Sequence, residues 1–264
     1  MKKFLIIVIG LWLVGCSYQE GLEVSGSTSV APVMEKLISD YQSNHVANIN
    51  LTADGSSAGI SAALEGVSDI GMSSRALSKD EFNNDIDVNI IGIDAIVVVL
   101  NKDNKITNLS IQDLHDIYCG KKNNWQDFGG ENIPIVLVSR ENGSGTRDAF
   151  EDSIKAKDAN KASYVDLYNP VIVNSTGAVI ENVKQKKGAI GYMSMGSVIQ
   201  DIKAISLNNY QANKSNVIKK LYPISREFYV ISKKNNIKAK TFINYILNED
   251  GQHIIENEGF IRVK

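Results

Sequence analysis

The 264-residue chain has little of what would announce an enzyme or a nucleic-acid binder. Two cysteines cannot build a disulfide scaffold. Three histidines, His45, His115 and His253, stand far apart and match no zinc spacing, so no metal is expected. Lys+Arg 28 against Asp+Glu 30 leaves a net charge of −2, without the basic excess that a nucleic-acid partner requires. No phosphate-loop motif appears, because Gly120-Lys121-Lys122 has neither the first glycine at the right spacing nor a following hydroxyl. Gly143-Ser144-Gly145 is not a G-x-S-x-G nucleophile elbow, and no other activated nucleophile is readable, so catalysis is not expected. At 43% apolar and 22% charged residues the composition suits a folded core. The length allows one large domain or two small ones.

No run is long enough to span a bilayer, which takes roughly 20 apolar residues. The apolar stretch at residues 4–15 follows Met1-Lys2-Lys3 and ends in Leu13-Val14-Gly15-Cys16. A basic start and a short apolar stretch read as an export signal. The Leu-Val-Gly-Cys ending resembles the bacterial lipoprotein box, which implies cleavage before Cys16 and acylation of that cysteine. Residues 1–15 are then the signal peptide and 16–21 a polar tether, and loss of Lys2 and Lys3 makes the mature chain more acidic. The expected location is a cell membrane, with the lipid-anchored domain facing the periplasm or the exterior. Cys119 is left without an intrachain partner and reads as a buried small residue rather than a nucleophile.

Beyond residue 21, strands and helices alternate. Apolar patterns predict strands at 22–25, 48–53, 69–72, 90–100, 133–138, around 190–192 and at 228–231. Helices are predicted at 30–44, with Pro32 in the first turn, and at 57–64, 110–118, 146–156, 178–186, 238–247 and 252–257. This is an α/β pattern with a mostly parallel sheet flanked by helices. The strand-rich stretches near 89–101 and 221–232 are the candidate crossover strands. They would make a discontinuous first lobe of 22–93 plus 226–264 and an inserted second lobe of 94–225.

The most informative pattern is a recurrence of strand, small hydroxyl-rich loop and helix. It occurs at Gly26-Ser27-Thr28-Ser29, at Gly55-Ser56-Ser57 and at Gly143-Ser144-Gly145-Thr146, with a variant at Ser73-Ser74-Arg75. Each helix start leaves amide hydrogens without an intrahelical partner and carries about half a positive charge, which makes it a ready anion site. One such loop is most often an ordinary helix cap. Four of them with Arg75 and Arg140 nearby suit a tetrahedral oxyanion, because a guanidinium fork matches two of its oxygens. Arg147 either joins them or pairs on the surface with Glu151 four residues on.

Val24-Ser25-Gly26-Ser27-Thr28-Ser29-Val30-Ala31-Pro32, Gly55-Ser56-Ser57-Ala58-Gly59, Ile70-Gly71-Met72-Ser73-Ser74-Arg75 and Arg140-Glu141-Asn142-Gly143-Ser144-Gly145-Thr146-Arg147 resemble, in this order, the phosphate-binding proteins of ABC phosphate importers, the PstS family. Asp116-Ile117-Tyr118, Trp125 and Gly188-Ala189-Ile190-Gly191-Tyr192 agree, and the resemblance covers residues 22–264. It implies a two-lobed periplasmic-binding-protein fold of type II, hinged on two crossover strands. It also implies a monomer that closes on inorganic phosphate and delivers it to importer permease subunits, with no cofactor. Carried over by position, the phosphate-binding residues would be Thr28, Ser29, Ser56, Ser74, Arg75, Arg140, Ser144, Gly145 and Thr146. Some family members place an aspartate where this chain has Ser74, and that carboxylate accepts the phosphate proton and repels protonless sulfate. Asp94 is the first candidate for that role here and Asp54 the second, with a strand-end hydrogen-bonding role for Asp94 weighted equally. Two alternatives stay open: the same fold holding sulfate or molybdate, and a surface lipoprotein serving adhesion or sensing.

Overall fold

The computed structural model describes residues 21–155 and 168–263. The leader, Cys16 and its tether up to residue 20, and the end of the helix expected to reach residue 156 lie outside the described residues.

The first half of the chain is built by local strand–helix alternation. Strand β1 (Leu22–Gly26) leads into helix α1 (Ala31–Asn44), then β2 (Ile49–Ala53), α2 (Ser56–Glu65) and β3 (Ile70–Ser73). Pro32 sits in the first turn of α1, where its missing amide hydrogen costs nothing. Val33, Met34, Leu37, Ile38 and Tyr41 repeat at helical spacing and are buried on one face of α1. β1 pairs in parallel with both β2 and β3.

β4 (Ile86–Asn101) then runs on for 16 residues. After it come β5 (Asn108–Leu109), α3 (Ile111–Tyr118), β6 (Val136–Arg140), α4 (Gly145–Ser153), β7 (Val171–Val173), α5 (Thr176–Gln185), β8 (Ala189–Ser194), β9 (Ile202–Ala204), β10 (Ser206–Leu207) and α6 (Lys214–Ile218). Strand β11 (Ser225–Lys233) returns the chain to the first half, and α7 (Ile237–Ile246) and α8 (Glu249–Asn257) pack beside α1. Among the described residues the main sheet runs β2-β1-β3-β11-β4-β8-β6-β7, with β9 also on β4.

The two long strands join two differently facing wings. β4 pairs antiparallel with β11 over Ile86 to Ala95, then with β8 over Ile96 to Leu100. Its neighbours therefore change between Ala95 and Ile96. From there Ile96, Val98 and Leu100 enter one apolar cluster with Leu114, Trp125 and Phe150, while Val97 and Val99 enter another with Val138, Val179 and Val183. Both faces are covered, which explains why this stretch is continuously apolar rather than alternating. The first half has its own cluster around Val24, Met34, Leu37, Met72, Phe228 and Phe242.

The sheet is more mixed than expected. Each wing has parallel pairs, β1 with β2 and β3 and β6 with β7 and β8, but the crossover strands run antiparallel to their neighbours. A chain that leaves one wing and returns by an adjacent strand must do this. The strand expected at 133–138 begins at Val136 and ends at Arg140, which sets that arginine at the sheet's carboxyl edge. The short elements β5, β7, β9, β10 and α6 carry too few residues for a periodic signal and were not expected. No described helix is long and apolar enough to cross a membrane.

Candidate functional site

Three strand-to-helix turns meet where the two halves face each other. At the first, Gly26 has φ 132°, and a side chain there would lie 2.3 Å from the carbonyl oxygen of Met72. Only glycine fits. The carbonyl oxygen of Gly26 accepts from the amides of Asp54 and Gly55, both at 2.9 Å, so the first and second loops are tied together. The Ser74 hydroxyl lies 3.0 Å from the Ser27 hydroxyl and 3.2 Å from the Ser56 hydroxyl, which also accepts from the Ser74 amide at 3.1 Å. Ser27, Ser56 and Ser74 thus form one buried hydroxyl cluster in the first half.

The third turn presses the start of α4 against that cluster. A side chain at Gly145 would stand 2.5 Å from the Ser56 hydroxyl and 2.9 Å from that of Ser74, so glycine is needed for the approach. The Thr146 hydroxyl lies 2.8 Å from that of Ser29, across the two halves. The Ser144 hydroxyl caps α4 by accepting from the Arg147 amide. Thr28, Ser29, Ser56, Ser74, Ser144, Gly145 and Thr146 are all buried. Seven of the expected residues therefore come together.

Arg140 is 2% exposed, and its Nε and Nη2 donate to the two carboxylate oxygens of Glu141 at 2.8 and 2.7 Å. Its amide donates to the Tyr192 hydroxyl, which also meets the Ser139 hydroxyl. Arg147 pairs with Glu151 as one alternative had it, but in the interior rather than at the surface: Nε donates to Glu151 at 2.7 Å, with the two side chains 11% and 1% exposed, and Nη1 reaches the Arg140 carbonyl and Asn142.

Arg75 departs from expectation. Its guanidinium is turned out of the hydroxyl cluster, donating to both Glu81 oxygens at 2.8 and 2.7 Å and to the Ser57 hydroxyl at 2.8 Å. Asp148 Oδ2 lies 3.1 Å from its Nε. Two carboxylates outcompete the cluster for this cation, whose protonated form they favour. The same contact holds the Glu81 carboxyl down at about 2.

Asp94 is wholly buried, yet four donors already occupy its oxygens. Ser194 Oγ and the Met195 amide donate to Oδ1 at 2.9 and 3.1 Å, and Arg226 Nε and Nη2 donate to Oδ2 at 3.0 and 2.9 Å. An acceptor so engaged has little capacity left for a proton on a bound anion, and the strand-bound alternative describes its surroundings better. Burial pushes the carboxyl up, and the adjoining guanidinium opposes that shift. Asp54 is exposed.

Two residues of the site went unforeseen. Arg226, 7% exposed, donates from Nη1 to the Thr146 hydroxyl at 2.7 Å while Asp94 holds its other edge. Burial pushes its pKa down, and Asp94 counters. It stands directly opposite Asp94 in the β4–β11 register. A readable signal existed: two crossover strands laid antiparallel put a cation across from Asp94. The second is Thr176, first residue of α5, whose hydroxyl lies 3.4 Å from that of Thr28. Asn174-Ser175-Thr176-Gly177 after β7 repeats the same strand, small-residue loop and helix sequence.

The arrangement offers amide dipoles, at least six hydroxyls and the Arg226 guanidinium to one small volume, with the buried Arg140, its fork on Glu141, at the end of β6 nearby. Such a set binds an oxyanion through fixed donors.

Known proteins resemble this chain in sequence and in fold. The PBP superfamily domain matches residues 17–250. The phosphate-binding protein PstS of Borreliella burgdorferi is 27% identical over the full length of both chains, and that of Bacillus subtilis is 29% identical over 92% of this chain and 80% of its own. Among solved structures, a Clostridium perfringens substrate-binding protein assigned to phosphate ABC transport, solved with bound phosphate, superposes with a TM-score of 0.87 at 38% identity. It covers 93% of this chain and 100% of that one. An ABC-type phosphate transport receptor from Vibrio cholerae gives 0.74 at 32% identity, over 91% and 99% of the two chains.

Proposed function

Because the chain belongs to the PBP superfamily, among its PstS-type phosphate-binding proteins, we propose that it captures inorganic phosphate between its two halves and passes it to an ABC importer. The observation that carries this reading is the joining of the two halves by Ser29, Thr146 and Arg226, with the Ser27–Ser56–Ser74 cluster and Arg140 alongside. Thr28, Ser29, Ser56, Ser74, Ser144, Gly145 and Thr146 donate to the phosphate oxygens, and Arg140 and Arg226 supply charge-assisted bonds. The protein works as a binding monomer rather than a catalyst. Residues 22–93 plus 226–264 and residues 94–225 act as the lobes, hinged where β4 changes neighbours and where β11 begins. Cys16 carries the lipid that holds the domain at the membrane.

A second reading, another tetrahedral oxyanion in the same place, draws support from one observation. The two carboxylates beside the site's arginines, the buried Asp94 and the partly exposed Glu141, are both bonded to them. Rejection of a protonless anion then rests on hydroxyls, which accept as well as donate. Isothermal titration of the purified chain with phosphate, sulfate and molybdate decides the matter. Phosphate is expected to bind tightest by at least about tenfold, a difference of about 1.4 kcal/mol. Tighter sulfate binding would end the phosphate assignment.

A further inference from the structure

Arg75 stands at the edge of a cleft of about 680 Å³ between the halves, which Glu81, Asp148, Asp152, Arg226 and Glu227 also line. It is bound on its own side by a two-point contact to Glu81 and by the Ser57 hydroxyl. Across the cleft, Asp148 on α4 brings a carboxylate oxygen to 3.1 Å from Nε. Both side chains are largely shielded, at 15% and 17% exposure, so water and salt screen their attraction only in part. Beside this contact the Ser57 amide donates to the carbonyl oxygen of Gly143 at 3.1 Å, a backbone bond that also spans the halves. None of these groups is bonded to the hydroxyl cluster through the guanidinium itself. Glu81 and Ser57 hold the fork in place, so only the ion pair with Asp148 needs to form when the halves meet.

We infer that Arg75, preset by Glu81 and Ser57, and Asp148 form a clasp that holds the two halves shut and sets how long a captured anion stays. The inference rests on the capture reading above. In it Asp148 is a positioning residue: it touches no anion, and acts by keeping α4, with Gly145 and Thr146, against the first half. A clasp outside the cage lets the hold on the closed form differ from the strength of anion contact. Loss of the clasp therefore shortens residence with little effect on the encounter rate.

Hydrogen exchange at the Ser57 amide reads closure directly, because its partner is Gly143 of the other half. In the full chain without phosphate, Asp148→Asn is expected to speed exchange at Ser57 about 5- to 10-fold, the scale of one partly shielded ion contact. Exchange at the core amide of Phe228 should stay unchanged, which separates opening from unfolding. Stopped-flow release of phosphate should accelerate by a similar factor while association changes less than about twofold. Asp148→Glu should restore most of both. If Asp148→Asn unfolds the chain, Arg75→Lys carries the same comparison, since it keeps the charge but cannot span Glu81 and Asp148 together. Unchanged Ser57 exchange in a folded variant overturns the clasp. Absence of phosphate binding to the unaltered chain would instead overturn the capture reading, and the Ser57 comparison would still judge the clasp.

Discussion

The two walls of the site are chemically unlike. The first-half wall is a set of neutral hydroxyls, Ser27, Ser29, Ser56 and Ser74, all at most 2% exposed. Its nearby cation, Arg75, is committed elsewhere. The opposite wall and the crossover strands supply charge: Arg140 at the end of β6 and Arg226 at the start of β11. Each of these arginines has a carboxylate of its own, Glu141 or Asp94. The cage therefore carries little net charge, and the anion's affinity comes from oriented donors rather than from an excess of cations. Donors from both walls surround the one small volume, so on the capture reading full affinity requires closure. On the capture reading, the Arg226–Asp94 pair, set where β4 is about to change neighbours, makes the crossover strands part of the binding wall.

The largest expected effect tests that last point. Arg226→Met strands the Asp94 carboxylate in the interior and should cost about 3–5 kcal/mol of stability. At this chain length, that is a fall of about 10 °C in Tm by calorimetry. Arg226→Met combined with Asp94→Asn should recover most of the stability, since the buried charge is gone. Phosphate affinity in the double variant should remain about 10- to 100-fold weak, as one charge-assisted partner is missing. Restored affinity would make Arg226 purely structural and leave the charged wall with Arg140 alone.

The next prediction sets wall against wall. Arg140→Ala should weaken phosphate binding about 10- to 100-fold, whereas Ser29→Ala should weaken it about 2- to 10-fold, by the difference between charged and neutral hydrogen bonds. Titration calorimetry on both variants decides. Equal losses would mean that the two walls share the load, contrary to their composition.

Much of this architecture was readable from residues because it is local. The strand, hydroxyl loop and helix recurrences at Gly26, Gly55 and Gly143 are short patterns with a direct backbone cause, and their residues converge as expected. The crossover strand was legible because β4 is buried on both faces over Ile96 to Leu100 and so is apolar at every position. What stayed hidden depends on partners distant in sequence. Arg226 and Asp94 are 132 residues apart and meet only through strand register. Arg75 looked like a ligand because it follows Ser74 directly, but its direction is set by Glu81 and by Asp148 on α4. A buried cation goes to whichever carboxylates the fold presents, and adjacency in the chain does not reveal them.

The smallest effect sharpens the contrast between cage and clasp through pH. Glu81 is held near 2 by Arg75, with help from the Ser78 amide, against an ordinary value of 4.5. Between those values the unfolded chain binds the proton and the folded chain does not, so stability rises with pH there. The contribution is complete above about 4.5 and is lost as pH falls through about 2. Glu81 is partly exposed, so solvent screening trims the effect to a modest one. Thermal melts from pH 5 to pH 2 should therefore show a shallower acid decline in Glu81→Gln than in the unaltered chain. The cage carboxylates Asp94 and Glu141 remain in both proteins, so subtracting the two curves isolates the clasp side of the molecule. Superimposable curves would mean that the contact of Glu81 with Arg75 contributes nothing in solution. Arg75 would then lose the preset orientation on which its reach toward Asp148 depends.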